Sequence, residues 1–333
     1  MSYQLDATTA SAKIPVPAAI FKCAQTPLAE TVVQPPPATC RLCGARLAIP
    51  LGQPGLEHLE QCSACGLVYV RNFPAAEDVH SIYDESYYRN TASHVVGYED
   101  YEADQANIVN TARRRLKFIA KRHPEPGRLL DVGCALGFFM EAASEAGWHA
   151  TGIDISHYAS TAASERTGQP VHCGELEHAG FADKSFDVVT LWDVVEHMAD
   201  PLTQLQECHR ILTDDGLLVL STPDIGSLVA KITGPRWMGF KLADEHLFYF
   251  SLATVANLLD RAGFQIVENS HVGKYVNLEF FVKRLGLYTP RLAAALRPVV
   301  RGTRLGRLSV YVNPNDILFV AAAKRPSNSP QVR

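Results

Sequence analysis

Leu129-Leu130-Asp131-Val132-Gly133-Cys134-Ala135-Leu136-Gly137-Phe138-Phe139 is followed by Gly152-Ile153-Asp154 and then by Ser185-Phe186-Asp187-Val188-Val189-Thr190-Leu191-Trp192-Asp193. Each piece is an apolar run that ends in an acid or a glycine turn. The pieces recur at the spacing of successive strands in a parallel sheet, with room for a helix between them. Working outward, strands are expected at 128–132, 148–154, 169–173, 186–192, 216–222, 264–271 and 315–323, with helices between the first six. The fold class predicted is α/β, a Rossmann-like seven-stranded doubly wound sheet. In such sheets ligands sit beyond the carboxyl ends of the strands. The acids and glycines fall there, which marks a nucleotide-type cofactor site.

The turn after the first strand narrows the cofactor. A nicotinamide enzyme would show G-x-G-x-x-G at this point. From Gly133 the chain reads Gly-Cys-Ala-Leu-Gly, so the second glycine falls out of that pattern. What stands there is Asp131-x-Gly133-x-Ala135-x-Gly137. An acid at the strand end suits a ligand that presents a cation rather than a pyrophosphate. S-adenosylmethionine, with its ammonium and sulfonium, fits that electrostatic demand.

The rest of the chain sets bounds. Its 333 residues allow one large domain and a smaller one, and a net charge of −4 does not favour a nucleic-acid binder. No apolar run approaches the roughly 20 residues of a spanning helix, and the first 39 residues lack the basic and apolar regions of a secretory signal. Residues 1–37, rich in Ala, Pro and Thr, are expected to be a disordered tail. Cys40-x-x-Cys43-Gly44 and Cys62-x-x-Cys65-Gly66 follow, with 18 residues between Cys43 and Cys62. Two such knuckles predict a four-thiolate zinc ribbon over 38–72. A shell of four thiolates leaves no open position, so this zinc would be structural. Cysteines used in this way point to a reducing, cytoplasmic setting. Residues 73–126 carry helical patterns and are read as a cap or linker, 127–325 as the catalytic domain and 326–333 as a tail.

The segment from 127 to 325 resembles a class I S-adenosylmethionine-dependent methyltransferase, in the branch that includes the ubiquinone-biosynthesis O-methyltransferases. Asp193-Val194-Val195-Glu196-His197-Met198-Ala199-Asp200-Pro201 and Arg210-Ile211-Leu212-Thr213-Asp214-Asp215-Gly216-Leu217-Leu218 carry that resemblance. The zinc knuckle and Tyr83-Asp84-Glu85-Ser86-Tyr87-Tyr88 resemble a bacterial subgroup tied to surface-glycan and secondary-metabolite pathways. The resemblance implies that Asp131, Gly133, Ala135 and Gly137 surround the methionine part of the cofactor. It places Asp154 and Ile155 at the ribose, Glu175 and Leu176 at the adenine, and Asp193 at the end of the fourth strand. Ala135 departs from the glycine usual there and is expected to narrow the loop without abolishing binding.

Methyl transfer to a hydroxyl needs alignment and a route for the proton. Asp193, Glu196 and His197 follow the fourth strand, and their spacing would put them on one face of a helix. His197 is a candidate base. The resemblance also allows Mg²⁺ at Asp193, Glu196 and His197. His246, in Glu245-His246-Leu247-Phe248-Tyr249-Phe250-Ser251, is a second candidate as base, metal contact or substrate ligand. Trp237 could wall the acceptor pocket. Residues 271–313 hold eight Lys or Arg against one acid, Glu279. Such a basic amphipathic insert (273–313) suits an anionic membrane surface, at the inner face, or a phosphate-bearing substrate. The expected activity is O-methylation of a sugar, glycan or secondary-metabolite acceptor. A small aromatic or quinone-like hydroxyl, C-methylation of a nucleotide sugar and a non-catalytic scaffold are the alternatives. The sequence leaves the oligomeric state open.

Overall fold

A computed structural model describes residues 39–73, 82–89, 104–242 and 245–326. The tail expected over 1–37, most of the tail expected over 326–333, and parts of the helical stretch between 74 and 103 lie outside the described residues.

Three short strands open the chain: β1 (Ala48–Pro50), β2 (Leu59–Cys62) and β3 (Val68–Val70). Two helices follow, α1 (Glu85–Arg89) and α2 (Gln105–Arg122). The alternating part then runs β4 (Arg128–Val132), α3 (Phe138–Glu145), β5 (His149–Asp154), α4 (His157–Thr167), β6 (Val171–Cys173), β7 (Phe186–Trp192), α5 (Pro201–Ile211) and β8 (Leu212–Pro223). It continues with α6 (Leu228–Thr233), β9 (Phe248–Tyr249), α7 (Leu252–Arg261), β10 (Phe264–His271), β11 (Lys274–Asn277), α8 (Leu278–Leu285), α9 (Pro290–Val300), β12 (Ser309–Val312) and β13 (Ile317–Lys324). The helix starts are chemically legible. Ser156, Asp200 and Ser251 each accept a hydrogen bond from a first-turn amide, and Pro201 occupies the first turn of α5.

The large sheet has the order β10-β13-β8-β7-β4-β5-β6. Each of β4, β5, β6, β7 and β8 is parallel to its neighbour in that group, and β13 is antiparallel to both β8 and β10. All seven strands expected from the apolar runs are present in one sheet. Both faces are buried, Leu130, Ile153, Val189 and Leu218 in one cluster and Leu129, Ala150, Val188 and Leu217 in another, as in parallel strands covered by helices. From β4 the chain winds outward to β5 and β6, then crosses back to β7 on the other side. The crevice between the carboxyl ends of β4 and β7 follows from that reversal.

The segment between β10 and β13 is a folded unit. Strands β11 and β12 pair antiparallel, Lys274 opposite Val312, and α8 and α9 lie between them with Val282, Ala293 and Val300 as their own small core. Tyr275 N donates to Thr111 Oγ1 (2.9 Å) and Asn277 Nδ2 to Asp104 Oδ1 (3.1 Å), which fastens the unit to α2. Most of its arginines face solvent, while Lys274 turns inward. No helix among the described residues is long and apolar enough to cross a membrane.

The four-cysteine segment shares its sheet with a strand of the α/β part. The order is β1-β2-β3-β9, and β3 pairs with β9 through Val68–Tyr249 and Tyr69–Phe248. Cys40, Leu42, Leu59 and Leu67 belong to the same buried cluster as Leu247, Phe248 and Phe250.

Candidate active site

A cavity of about 1000 Å³ opens at the β4/β7 reversal. The loop after β4 forms its floor. Gly133 has φ +69°, and a Cβ there would meet Val194 Cγ2 at 2.5 Å, so two chain segments approach as closely as glycine permits. Ala135 holds φ +47°, a left-handed conformation in which L-residues are strained. Its amide donates to Asp154 Oδ2 (2.9 Å), and Ser156 N donates to Asp154 Oδ1 (2.9 Å). The strain at Ala135 and the orientation of Asp154 are thus one arrangement. Asp131 accepts a bond from Thr190 Oγ1 (2.7 Å). Burial pushes the Asp131 carboxyl up to about 7, against the Thr190 hydrogen bond, and burial likewise pushes Asp154 up to about 6. Asp131, Gly133, Ala135, Asp154, Ile155, Glu175 and Leu176 all line the cavity. Gly137, at φ +80°, stands behind the loop as the residue before α3.

Asp193 follows β7 in a left-handed conformation, φ +58°. Burial would raise its carboxyl, but Lys274 Nζ (2.8 Å) and Arg115 Nη2 (3.1 Å) hold it well below the usual carboxylate range. Ser221 Oγ also donates to it (2.9 Å). Residues 194–197 form a turn, where the D-x-x-E-H spacing predicted a helical face. Asp193 is not among the side chains that gather with Glu196 and His197, and its carboxylate is engaged by Lys274 and Arg115.

Glu196, His197 and His246 do come together, each offering one ligand atom within 4.8 Å of the others. His197 Nδ1 lies 2.9 Å from the Glu245 carbonyl oxygen and 2.9 Å from Tyr83 Oη. A carbonyl can only accept, so Nδ1 carries the proton and Nε2 keeps a free lone pair. The same logic applies to His246, whose Nδ1 is 3.1 Å from the Gly239 carbonyl. Glu196 is 1% exposed, and its carboxyl makes no well-formed hydrogen bond among the described residues, with the Thr222 hydroxyl its nearest side-chain donor. Burial and the Asp193 charge push its carboxyl up to about 8, and burial lowers His197 to about 4. Acceptor atoms of Glu196, His197 and His246 converge here. Such a place fits a proton-bearing substrate group or a cation.

Aromatic side chains also line the cavity, two of them beside the cluster: Tyr83 at His197 and Tyr87 at Glu245. Tyr83, Tyr87, Trp237, Phe280 and Phe281 face the cavity. Trp237 is fixed by its Nε1, which donates to Asp316 Oδ2 (3.1 Å). The sequence assigns no site role to Arg115, to Lys274 of the basic insert or to Tyr83 of the aromatic run. They come from α2, β11 and the stretch before α1, and only the tertiary fold carries them to the end of β7.

The four thiols form a second cluster. Cys40 Sγ to Cys65 Sγ is 3.6 Å and Cys43 Sγ to Cys62 Sγ is 3.5 Å. A tetrahedral zinc shell with bonds of about 2.3 Å has sulfur–sulfur edges of about 3.8 Å, so the donors and spacing fit that metal.

A family model described as a methyltransferase domain matches residues 103–269. The chain belongs to that family. It is a class I S-adenosylmethionine-dependent methyltransferase in family and fold. A stretch of 105 residues is 36% identical to a ubiquinone biosynthesis O-methyltransferase of Haemophilus ducreyi, covering 28% of this chain and 44% of that one. A stretch of 118 residues is 34% identical to the enzyme of that name from Cereibacter sphaeroides, covering 33% and 48%. The chain thus spans less than half the length of these relatives. Among solved structures, it is similar to the magnesium protoporphyrin IX methyltransferase of Synechocystis with bound SAH (16% identity, TM-score 0.48, 75% of this chain and 100% of that chain). It is also similar to a SAM-dependent methyltransferase from Archaeoglobus fulgidus (18%, 0.47, 67% and 99%).

The methyltransferase loop carries its own test. Ala135→Gly removes a left-handed alanine, and the larger entropy of glycine in the unfolded chain offsets part of the gain, so urea unfolding should show stabilisation of about 0.5–1 kcal/mol. A destabilised variant would mean that the alanine methyl packs to more effect than the strain costs.

Proposed function

We propose that the protein transfers a methyl group from S-adenosylmethionine to the hydroxyl of a flat aromatic or quinol-like acceptor. The observation that carries this reading is the convergence of Glu196, His197 and His246 in a cavity lined by Tyr83, Trp237, Phe280 and Phe281, which the glycine loop and Asp154 share. When bound, S-adenosylmethionine supplies an electrophilic methyl on a sulfonium. Asp154 would hold the ribose diol, since each of its oxygens has spent one lone pair on a backbone amide and retains another. Arg115 and Lys274, beside Asp193, provide positive charge suited to the cofactor's carboxylate. Asp131 and Asp154 supply the acids that suit its cationic groups.

The acceptor hydroxyl would enter among Glu196, His197 and His246. His197 Nε2 takes its proton, and the Glu196 carboxylate compensates the imidazolium that forms. A polyhydroxylated sugar would need a hydrogen-bonding partner for every buried hydroxyl, and aromatic side chains supply few of these. The O-methyltransferase names of the two relatives agree with a hydroxyl acceptor. The convergence of Glu196, His197 and His246 also fits a divalent ion, which would polarise the hydroxyl in place of a base. We assign zinc, in a structural role, to Cys40, Cys43, Cys62 and Cys65.

Labelled methyl donor offered to a panel of catechols, quinols, hexoses and nucleotide sugars, with product mass spectrometry, tests the acceptor. Transfer to the sugars alone would overturn the aromatic assignment. In calorimetry Asp154→Ala should weaken S-adenosylmethionine binding at least tenfold, at about 1.4 kcal/mol per decade. An unchanged affinity would remove Asp154 from the ribose. The pH profile reads the third assignment. Below about 8 Glu196 is neutral and leaves the imidazolium uncompensated, so kcat should rise as pH passes through that value. Glu196→Gln should flatten this limb and lower kcat about 10²–10⁴-fold; a retained limb would exclude Glu196 as its source.

A further inference from the structure

We propose that the four-cysteine ribbon is a working part of the acceptor site, holding Glu196 and His246 in place through β9, so that occupancy of the thiol shell governs the acceptor side of the cavity and spares the cofactor side. The assignment of sides rests on the functional reading above; the coupling itself rests on backbone geometry.

The connection is a chain of backbone hydrogen bonds. Cys62 ends β2, and its amide donates to the Leu67 carbonyl (2.8 Å) at the entry to β3. Val70 N, at the end of β3, donates to the Leu247 carbonyl (3.0 Å), the residue after His246. Leu247 N and Phe248 N in turn donate to the Glu196 carbonyl, at 2.9 and 3.2 Å. Three steps, the last of them doubled, therefore lead from a cysteine of the thiol shell to the backbone of the buried Glu196. Among the described residues β9 has no neighbour in its sheet other than β3.

A second connection bypasses the strands. Arg41 sits between Cys40 and Cys43, and its Nη1 donates to the Ala199 carbonyl (3.3 Å), two residues after His197. Its guanidinium also lies 4.1 Å over the Phe73 ring, which packs 5.2 Å from Phe248. Both connections end on the turn and strand that place Glu196, His197 and His246.

The ribbon has little order of its own to lend. Its strands are three, four and three residues long. Short strands of this kind need a metal or a larger sheet to persist. Asp131 and Asp154, by contrast, stand on β4 and β5 inside the seven-stranded sheet, and Gly133 directly follows β4. Loss of the metal should reach one side of the cavity and not the other.

Hydrogen exchange on the full chain, with and without a zinc chelator, reads this directly. Exchange at the Val70, Leu247 and Phe248 amides should accelerate on the order of tenfold or more, while the β4 and β5 amides and the S-adenosylmethionine affinity stay within about twofold. Zinc should restore protection. Unchanged exchange at Leu247 and Phe248 in demetallated protein would overturn the proposal. If chelation exposes β4 and β5 as well, Val70→Pro decides the matter, since it removes the bond to Leu247 and leaves all four thiols. That variant should keep one zinc and its cofactor affinity, yet show fast exchange at Phe248 and a raised acceptor KM. Normal exchange at Phe248 in that variant would likewise overturn the coupling. Fast exchange without methyl transfer to any acceptor, in wild type or variant, would leave the coupling standing and sink the functional reading instead.

Discussion

The reversal of the chain at β4 is the constraint on which the rest depends. A parallel strand needs a crossover connection to its neighbour, and β4 sends its first crossover one way, to β5, while β7 arrives on its other edge. The loops after β4 and β7 therefore diverge, and the crevice between them cannot be filled by a continuing helix. Gly133 lets those two loops touch at their base, against Val194, before they part. Everything placed at the site is a response to that gap. α2 packs behind it, the unit between β10 and β13 crosses in front, and β9 brings the ribbon to its side.

The gap also sorts its acids by environment. Asp131, Asp154 and Glu196 are buried without a cation in contact, and burial raises all three. Asp193 is as deeply placed, but Lys274 and Arg115 reverse the effect. Buried carboxylates this close would repel one another if all were fully ionised, so spreading their affinities for the proton makes the cluster tolerable. Asp193, the one held most firmly ionised, ties the late unit to the loop after β7. Removing Lys274 would strand a buried charge, an error far costlier than a lost surface pair. The unit between β10 and β13 is therefore bound to the site by the charge it neutralises.

How much of this was legible in the sequence depends on the range of the interactions. The strands read well because a strand buried on both faces writes itself as a continuous apolar run: 128–132, 186–192 and 264–271 match the observed limits. The cysteine spacing read well for the same reason, since each knuckle is local. The D-x-x-E-H stretch misled because helical spacing was assumed where the left-handed Asp193 and a tight turn intervene. Lys274 lies within the basic run of 273–313, and Arg115 is the last of three consecutive arginines in α2. Nothing within ten residues of either announces an acid that lies 81 or 78 positions away along the chain.

The ribbon shows the same limit from the other side. Its metal chemistry is written in four residues, but its place in the sheet is not, because β9 is a two-residue strand inside an aromatic stretch. A strand that short has no independent stability, and it forms only where an edge is already waiting. β3 offers such an edge, and the price of an exposed edge strand is avoided by pairing it within the chain. The residues that precede β9 are Glu245 and His246, so the strand that closes the ribbon's edge is also the one that delivers a site histidine. An arrangement in which a structural module and a reactive loop share their last hydrogen bonds cannot lose one without disturbing the other.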